Sequence, residues 1–360
     1  MKKIIDEYPK EMRALVLHDV ADLRLETVPV PELKDGCVLL QVKSCGICSS
    51  DKERVFVTGT YHFPTIPGHE FAGKIVAVAD DVDESLLGKR SCVFPMLPCK
   101  ECDACKIEEY AQCSNYNYFG SRCDGGFAEY LVVPVWNLVP FDDSIPYSVA
   151  ALCEPSAVSL HAVNIGEIKK GDKVAVVGTG TIGFLVAAFA KNLTDKVVIC
   201  GRSENKLVYA RKLGFETINL MSDSYKKVMK SLVGPEGFDV VFEAVGSNTT
   251  ISSAVDLAGN FGKIVLLGNP KKDLKMDKNV YWSILRKQKK LMGSWNSSFN
   301  TRVNDWAVVM DWMKTPPPPP PQLVTHRFAM DDYEKGFNLI RKEKEKEFLL
   351  KVMIEINTED

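Results

Sequence analysis

Cys48, Ser50 and Asp51 place a thiol, a hydroxyl and a carboxyl group within four residues, and Gly68-His69-Glu70 adds an imidazole and a second carboxyl group downstream. Thiolate and imidazole are the usual protein ligands of zinc. A carboxylate can take a third corner of the tetrahedron, and a fourth corner left to water or substrate makes such a site catalytic. A solitary cysteine is more often a small buried apolar residue, so these residues gain weight from what accompanies them. The expectation is a catalytic zinc.

A second group is more compact. Cys99, Cys102 and Cys105 are followed after seven residues by Cys113. Four thiolates in so short and polar a stretch match a closed, tetrahedral, structural zinc site, with two zinc ions per chain in all. The chain has 11 cysteines, but it is 360 residues long and shows no apolar leader core after Met1-Lys2-Lys3. Reduced thiols and metal sites are therefore expected rather than a disulfide scaffold, and a cytoplasmic location with them.

A third group belongs to a nucleotide. Residues 173–177 form a short apolar strand, Gly178-Thr179-Gly180-Thr181-Ile182-Gly183 follows, and residues 184–191 have helical character. Strand, Gly-x-Gly-x-x-Gly and helix in that order make a dinucleotide-binding turn, in which a pyrophosphate meets the helix N-terminus. NAD-binding folds carry an acidic residue at the end of the next strand, where it binds the ribose hydroxyls. Here that position is Gly201, followed by Arg202 and Ser203 with Lys206 nearby. A missing acid and a newly arrived guanidinium suit the 2′-phosphate of NADP. NADP is the expected cofactor and NAD the alternative, in which Glu204 would take the ribose one turn late.

The elements that position these groups come in two kinds. Before residue 155, strand candidates at residues 12–16, 38–42 and 71–78 are separated by turn residues such as Pro29-Val30-Pro31, which describes a β domain. After it, residues 197–200, 206–213, 239–242, 252–257 and 263–267 alternate strand and helix, the pattern of a parallel sheet. Residues 287–291 and Gly293-Ser294-Trp295 are expected to lead back to the first domain. The first ten residues read as a loose extension, the six prolines at 316–321 as a stiff connector, and the charged run at 341–347 as a solvated helix end. With 45 Lys plus Arg against 47 Asp plus Glu, nothing favours nucleic acid or an anionic membrane, and no apolar run is long enough to span a bilayer.

Taken together, the ligand residues, the four-cysteine lobe and the central dinucleotide fold resemble the zinc-dependent medium-chain alcohol and polyol dehydrogenases. Tyr118-Phe119-Gly120-Ser121-Arg122, Asp124-Gly125-Gly126-Phe127-Ala128-Glu129-Tyr130, the stretch opening Cys153-Glu154-Pro155-Ser156, Leu267-Gly268-Asn269-Pro270 and Gly293-Ser294-Trp295-Asn296 are most similar to the galactitol-1-phosphate 5-dehydrogenase subfamily. The resemblance implies an α/β protein with a GroES-like β catalytic domain (residues 1–155 and 295–360, with the zinc lobe at 99–113) and a Rossmann domain (156–294). It also implies that Cys48 is a zinc ligand and Cys45 a bystander, that His69 and Glu154 complete the set, and that Glu70 binds directly or exchanges with water. Asp51 would orient His69.

Chemically, the resemblance implies that zinc acidifies a secondary alcohol, that a hydride passes to the nicotinamide, and that Ser50 carries the proton away. The histidine that many relatives place five residues after the ligand cysteine is Glu53 here, which leaves the end of that relay open. The substrate would be a polyol, expected to be a polyol phosphate such as galactitol 1-phosphate. An unphosphorylated polyol of the sorbitol type, or threonine, is the alternative. A nucleotide-binding structural or regulatory relative is the non-enzyme alternative, and metal content separates it from an enzyme. A homo-oligomer, dimer or tetramer, is implied by analogy.

Overall fold

The apolar run at residues 38–42 lies in the first half of β1 (Cys37–Ile47), which is buried at nearly every position, so neither of its faces is open to water. In this computed structural model, which describes residues 3–4, 8–315, 320–341 and 348–357, the chain divides into two units. One is Met1–Glu154 with Ser298–Asp360, and the other is Pro155–Ser297.

In the first unit β1 is central to an eight-stranded sheet. It pairs antiparallel with β2 (Glu70–Val78) along one edge, with Gly46 opposite Glu70. Its other edge is shared by the strand Tyr130–Pro134 and, near its end, by a C-terminal strand that sets Ile47 opposite Val352. Immediately beyond this end Cys48 caps the short helix α1 (Ser49–Glu53). Register alone therefore gathers Cys48, Glu70 and Lys351 at one end of three strands. A Cβ on Gly46 would come within 2.4 Å of a Glu70 carboxylate oxygen and push that carboxylate out of place. Leu15, Leu39, Leu40, Phe71, Phe127 and Ile354 belong to the core beneath, each contributing about 1.5–3 kcal/mol by burial. Within the expected loose extension, Lys3–Ile4 instead pairs with β2 as a two-residue strand; residues 1–2 and 5–7 lie outside the described ones.

The second unit begins within α2 (Cys153–Gly166). Its six strands are β3 (Val174–Val177), β4 (Val197–Gly201), β5 (Glu216–Asn219), β6 (Phe238–Glu243), β7 (Ala258–Leu266) and β8 (Lys290–Gly293). They run parallel in the order β5-β4-β3-β6-β7-β8. This is the doubly wound order whose strand ends bind dinucleotides. The inner strands β3 and β4 are buried throughout, which explains their unbroken apolar sequences. Residues 290–293, expected to lead back to the first domain, are instead the sixth strand. They are mostly exposed and show no alternation, so periodicity gave no strand signal. The strand Glu216–Asn219 and the helix Tyr225–Val233 escaped the pattern for the same reason of shortness and exposure.

The chain then returns to the first unit through the helix Asp305–Met313, which buries Trp306, Val309 and Met313. Parallel strands β9 (Val324–Ala329) and β10 (Lys351–Glu355) complete the sheet. Of the proline run, residues 316–319 lie outside the described residues, and Pro320–Leu323 is a single 3-10 turn. Arg341 ends a helix, and the rest of the charged run, residues 342–347, also lies outside. Among the described residues no helix is long and apolar enough to cross a membrane.

Candidate functional site

Cys48, His69 and Glu70 offer a sulfur, a nitrogen and an oxygen that all lie within 4.8 Å of one another. Two donors on one zinc ion, each about 2.0–2.3 Å from it, fall within that reach. His69 and Glu70 are buried and Cys48 is half-buried, so the set has a closed back and an accessible side. The donor types and their convergence fit zinc. Glu154 is buried nearby but is not a member of this close set. Its carboxylate accepts a hydrogen bond of 3.2 Å from the Tyr118 hydroxyl. Burial pushes Glu154 up to about 7, with His69 pulling it down and Glu70 pushing it further up.

Behind His69 sits Asp51, fully buried on α1. One of its oxygens accepts the Cys48 backbone N–H at 2.9 Å. The other lies 3.2 Å from His69 Nδ1 and accepts from Arg54 Nη1 at 3.1 Å. The His69 contact lacks aligned hydrogen-bond geometry, since its Nδ1 has no such partner, and it is an ion pair only while the ring is protonated. Burial would raise the Asp51 pKa, but the His69 and Arg54 charges and the Cys48 N–H together bring it below the usual carboxylate range. Reciprocally, burial pulls His69 down and Asp51 and Cys48 outweigh it, so the ring is held well above its ordinary value. A proton and a metal ion therefore compete for this ring.

Lys351, the first residue of β10, is buried and bonds both Glu70 oxygens, at 2.8 and 2.5 Å. Burial lowers its pKa, yet Glu70 and Cys48 more than compensate and the ammonium stays charged. Ser50 Oγ, the expected proton carrier, accepts a hydrogen bond of 3.0 Å from Arg54 Nη1. Tyr118, whose ring centroid is 5.7 Å from that of His69, closes the group. Arg54, Tyr118 and Lys351 were not picked out as site residues from the sequence. Lys351 did leave a signal, as a lone charge among Phe348, Leu349, Leu350, Val352, Met353 and Ile354. Arg54 is three and four residues from Asp51 and Ser50, a helical spacing with many bland causes.

The four-cysteine lobe is drawn together as its spacing implied. The sulfurs of Cys99, Cys102, Cys105 and Cys113 all lie within 4.8 Å of one another. Neighbouring pairs are 3.5–4.0 Å apart, too far for a disulfide. Backbone N–H groups of Ser114 and Cys105 hold Cys102 down at about 5, whereas burial pushes Cys105 up to about 12. A dication would let all four become thiolates, so this set also fits zinc.

In the second unit the glycine turn joins β3 to α3 (Thr181–Lys191). Gly178 has φ +130°, which a side chain would resist, and a Cβ on Gly183 would strike the Gly178 carbonyl at 2.1 Å. Gly180 differs, since a Cβ there would meet nothing within 4 Å. Open space before a helix N-terminus is what a pyrophosphate requires. Thr181 and Ile182 begin the helix. Gly201 ends β4 and is buried, while Arg202 and Ser203 are exposed and Lys206 is half-buried. Glu204 is already committed, accepting from Arg211 at 2.5 Å and Asn219 at 2.8 Å.

Two family models match the chain, the alcohol dehydrogenase GroES-like domain over residues 34–143 and the zinc-binding dehydrogenase over residues 181–315. Galactitol 1-phosphate 5-dehydrogenase of Escherichia coli K12 is 32% identical over 90% of this chain and 95% of its own length. The erythritol/L-threitol dehydrogenase of Mycolicibacterium smegmatis is 31% identical over 94% of this chain and 97% of its own. Among solved structures, galactitol-1-phosphate dehydrogenase from Escherichia coli superposes with a TM-score of 0.88 at 29% identity, covering 96% of this chain and 100% of that one. A zinc-binding dehydrogenase from Sinorhizobium meliloti bound to NADP gives 0.86 at 26% identity, covering 97% and 100%. An Escherichia coli CFT073 dehydrogenase complexed with NADH gives 0.87 at 25%, with the same coverage.

Proposed function

That the chain belongs to the zinc-dependent medium-chain alcohol and polyol dehydrogenases is the premise from which we propose its reaction: oxidation of a secondary alcohol of a polyol phosphate to a ketose phosphate, or the reverse. The observation that carries the reading is the convergence of Cys48, His69 and Glu70 within 4.8 Å in front of buried Asp51. In this reading those three residues hold zinc, which when bound supplies the Lewis acidity that makes an alcohol acidic near neutral pH. Asp51 fixes the His69 ring, Tyr118 holds the Glu154 carboxylate beside the metal set, and Ser50 relays the substrate's proton, accepting it at Oγ as its own hydroxyl proton passes on toward solvent. Cys99, Cys102, Cys105 and Cys113 hold the second, structural zinc. A homo-oligomer is part of the same proposal.

For the cofactor we favour NADP. Gly201 supplies no acid, Glu204 is tied to Arg211 and Asn219, and Arg202 is exposed, with no partner among the described residues. Arg202→Ala should weaken NADP by roughly ten- to a hundredfold, the worth of a charge-assisted contact, and leave NAD nearly unchanged. Restoring an acid at Gly201 is a poorer test, because its Cβ would fall 2.4 Å from the Thr179 methyl group. If the wild type prefers NAD, or the variant weakens both cofactors equally, the assignment fails.

The substrate reading is tested by rates with both cofactors on galactitol 1-phosphate, galactitol, sorbitol and L-threonine. The phosphorylated polyol with NADP should give the highest kcat/KM. A higher value for a neutral polyol or threonine would replace the polyol phosphate as substrate.

A further inference from the structure

Arg54 is held by only one of its terminal nitrogens. Nη1 donates to Ser50 Oγ at 3.0 Å and to Asp51 Oδ1 at 3.1 Å. A guanidinium has five N–H donors in a planar fork, and among the described residues Nε and Nη2 have no partner. The side chain is 21% exposed, so this remaining edge is neither buried nor fully in solvent. Nε and Nη2 form the side-on edge that matches two oxygens of a carboxylate or phosphate.

The position of that edge matters as much as its chemistry. Asp51 Oδ1 touches both Arg54 and the His69 ring, so the guanidinium stands one carboxylate oxygen away from the metal set. The other cation of the site, Lys351, is closed off by both Glu70 oxygens. A dianionic substrate needs a cation at its charged end, and Arg54 is a cation of this site with donors still unused among the described residues.

We propose that the free Nε/Nη2 edge of Arg54 binds the phosphate of the substrate while Nη1 anchors the guanidinium on Asp51 and Ser50. Arg54 is then a specificity-determining residue, and the assignment rests on the polyol phosphate reading above. It also explains why a fork is used where a simple cation would suffice to brace Asp51.

The measurement is the ratio of kcat/KM for galactitol 1-phosphate to that for galactitol, in the wild type, Arg54→Met and Arg54→Lys. The ratio should fall roughly ten- to a hundredfold in Arg54→Met, with Arg54→Lys between. A role confined to bracing Ser50 and Asp51 would lower both rates and leave the ratio unchanged, and that outcome overturns the proposal. Inorganic phosphate should compete with galactitol 1-phosphate in the wild type, which requires no variant to fold. Absence of competition also overturns it. A wild type that does not prefer the phosphorylated member sinks the substrate reading itself. If L-threonine proves the better substrate and Arg54→Met depresses its use alone, the subsite takes a carboxylate and the phosphate assignment is wrong.

Discussion

Cys99, Cys102, Cys105 and Cys113 meet inside one lobe of the chain, residues 99–113, where a short helix at Asp103–Lys106 and the turns around it bring the sulfurs together. Cys48, His69 and Glu70 meet across two strands and a helix cap, and Lys351 joins them from the far end of the sequence. The lobe contributes four soft ligands of one type. The other set mixes three donor types, buried Glu70 among them, and surrounds them with buried Asp51, Glu154 and Lys351. Closed and uniform suits a staple, whereas mixed, charged and open on one side suits chemistry. Burying so many charges is costly, and they persist because each has a named partner.

Removing a ligand from each set is the strongest way to break this contrast. Cys48→Ser or His69→Ala should lower kcat on the order of a thousandfold or more and leave one zinc per chain, with the thermal midpoint little changed. Turnover near wild type in metal-analysed protein would end the catalytic assignment. Cys102→Ser should do the reverse. Zinc again falls to one per chain and the midpoint drops on the order of 10 °C, but the folded fraction still turns over. Should that variant keep two zincs and its full midpoint, the lobe is no staple.

A smaller effect sharpens the comparison. Lys351→Met leaves Glu70 buried without its ammonium partner and should cost the metal-free protein about 3–5 kcal/mol. Zinc can neutralise the same carboxylate, so the loss measured by denaturant should shrink when the protein is loaded. Equal losses with and without zinc would mean that Glu70 does not face the metal.

Much of this was legible from residue order because it is local. The spacing of the four cysteines, the strand-glycine-helix turn and the Cys48 and His69 motifs each lie within one continuous stretch of fewer than twenty residues, where backbone geometry leaves few alternatives. The parallel sheet was legible as alternation, except for Glu216–Asn219 and Lys290–Gly293, which are short and exposed. What residue order left open was every question that depends on register or on who is buried beside whom. Whether Glu70 or Glu154 stands in the close set depends on Gly46 facing Glu70 across β1 and β2. That Lys351 pairs with Glu70 depends on β10 lying on the other edge of β1. Glu204 was a candidate for the ribose until Arg211 and Asn219 were seen to hold it, and a free edge on Arg54 can be recognised only once its other contacts are known. Ligand chemistry is carried by residue types, but burial and strand register arise from contacts between distant parts of the chain, and only the folded structure supplies them.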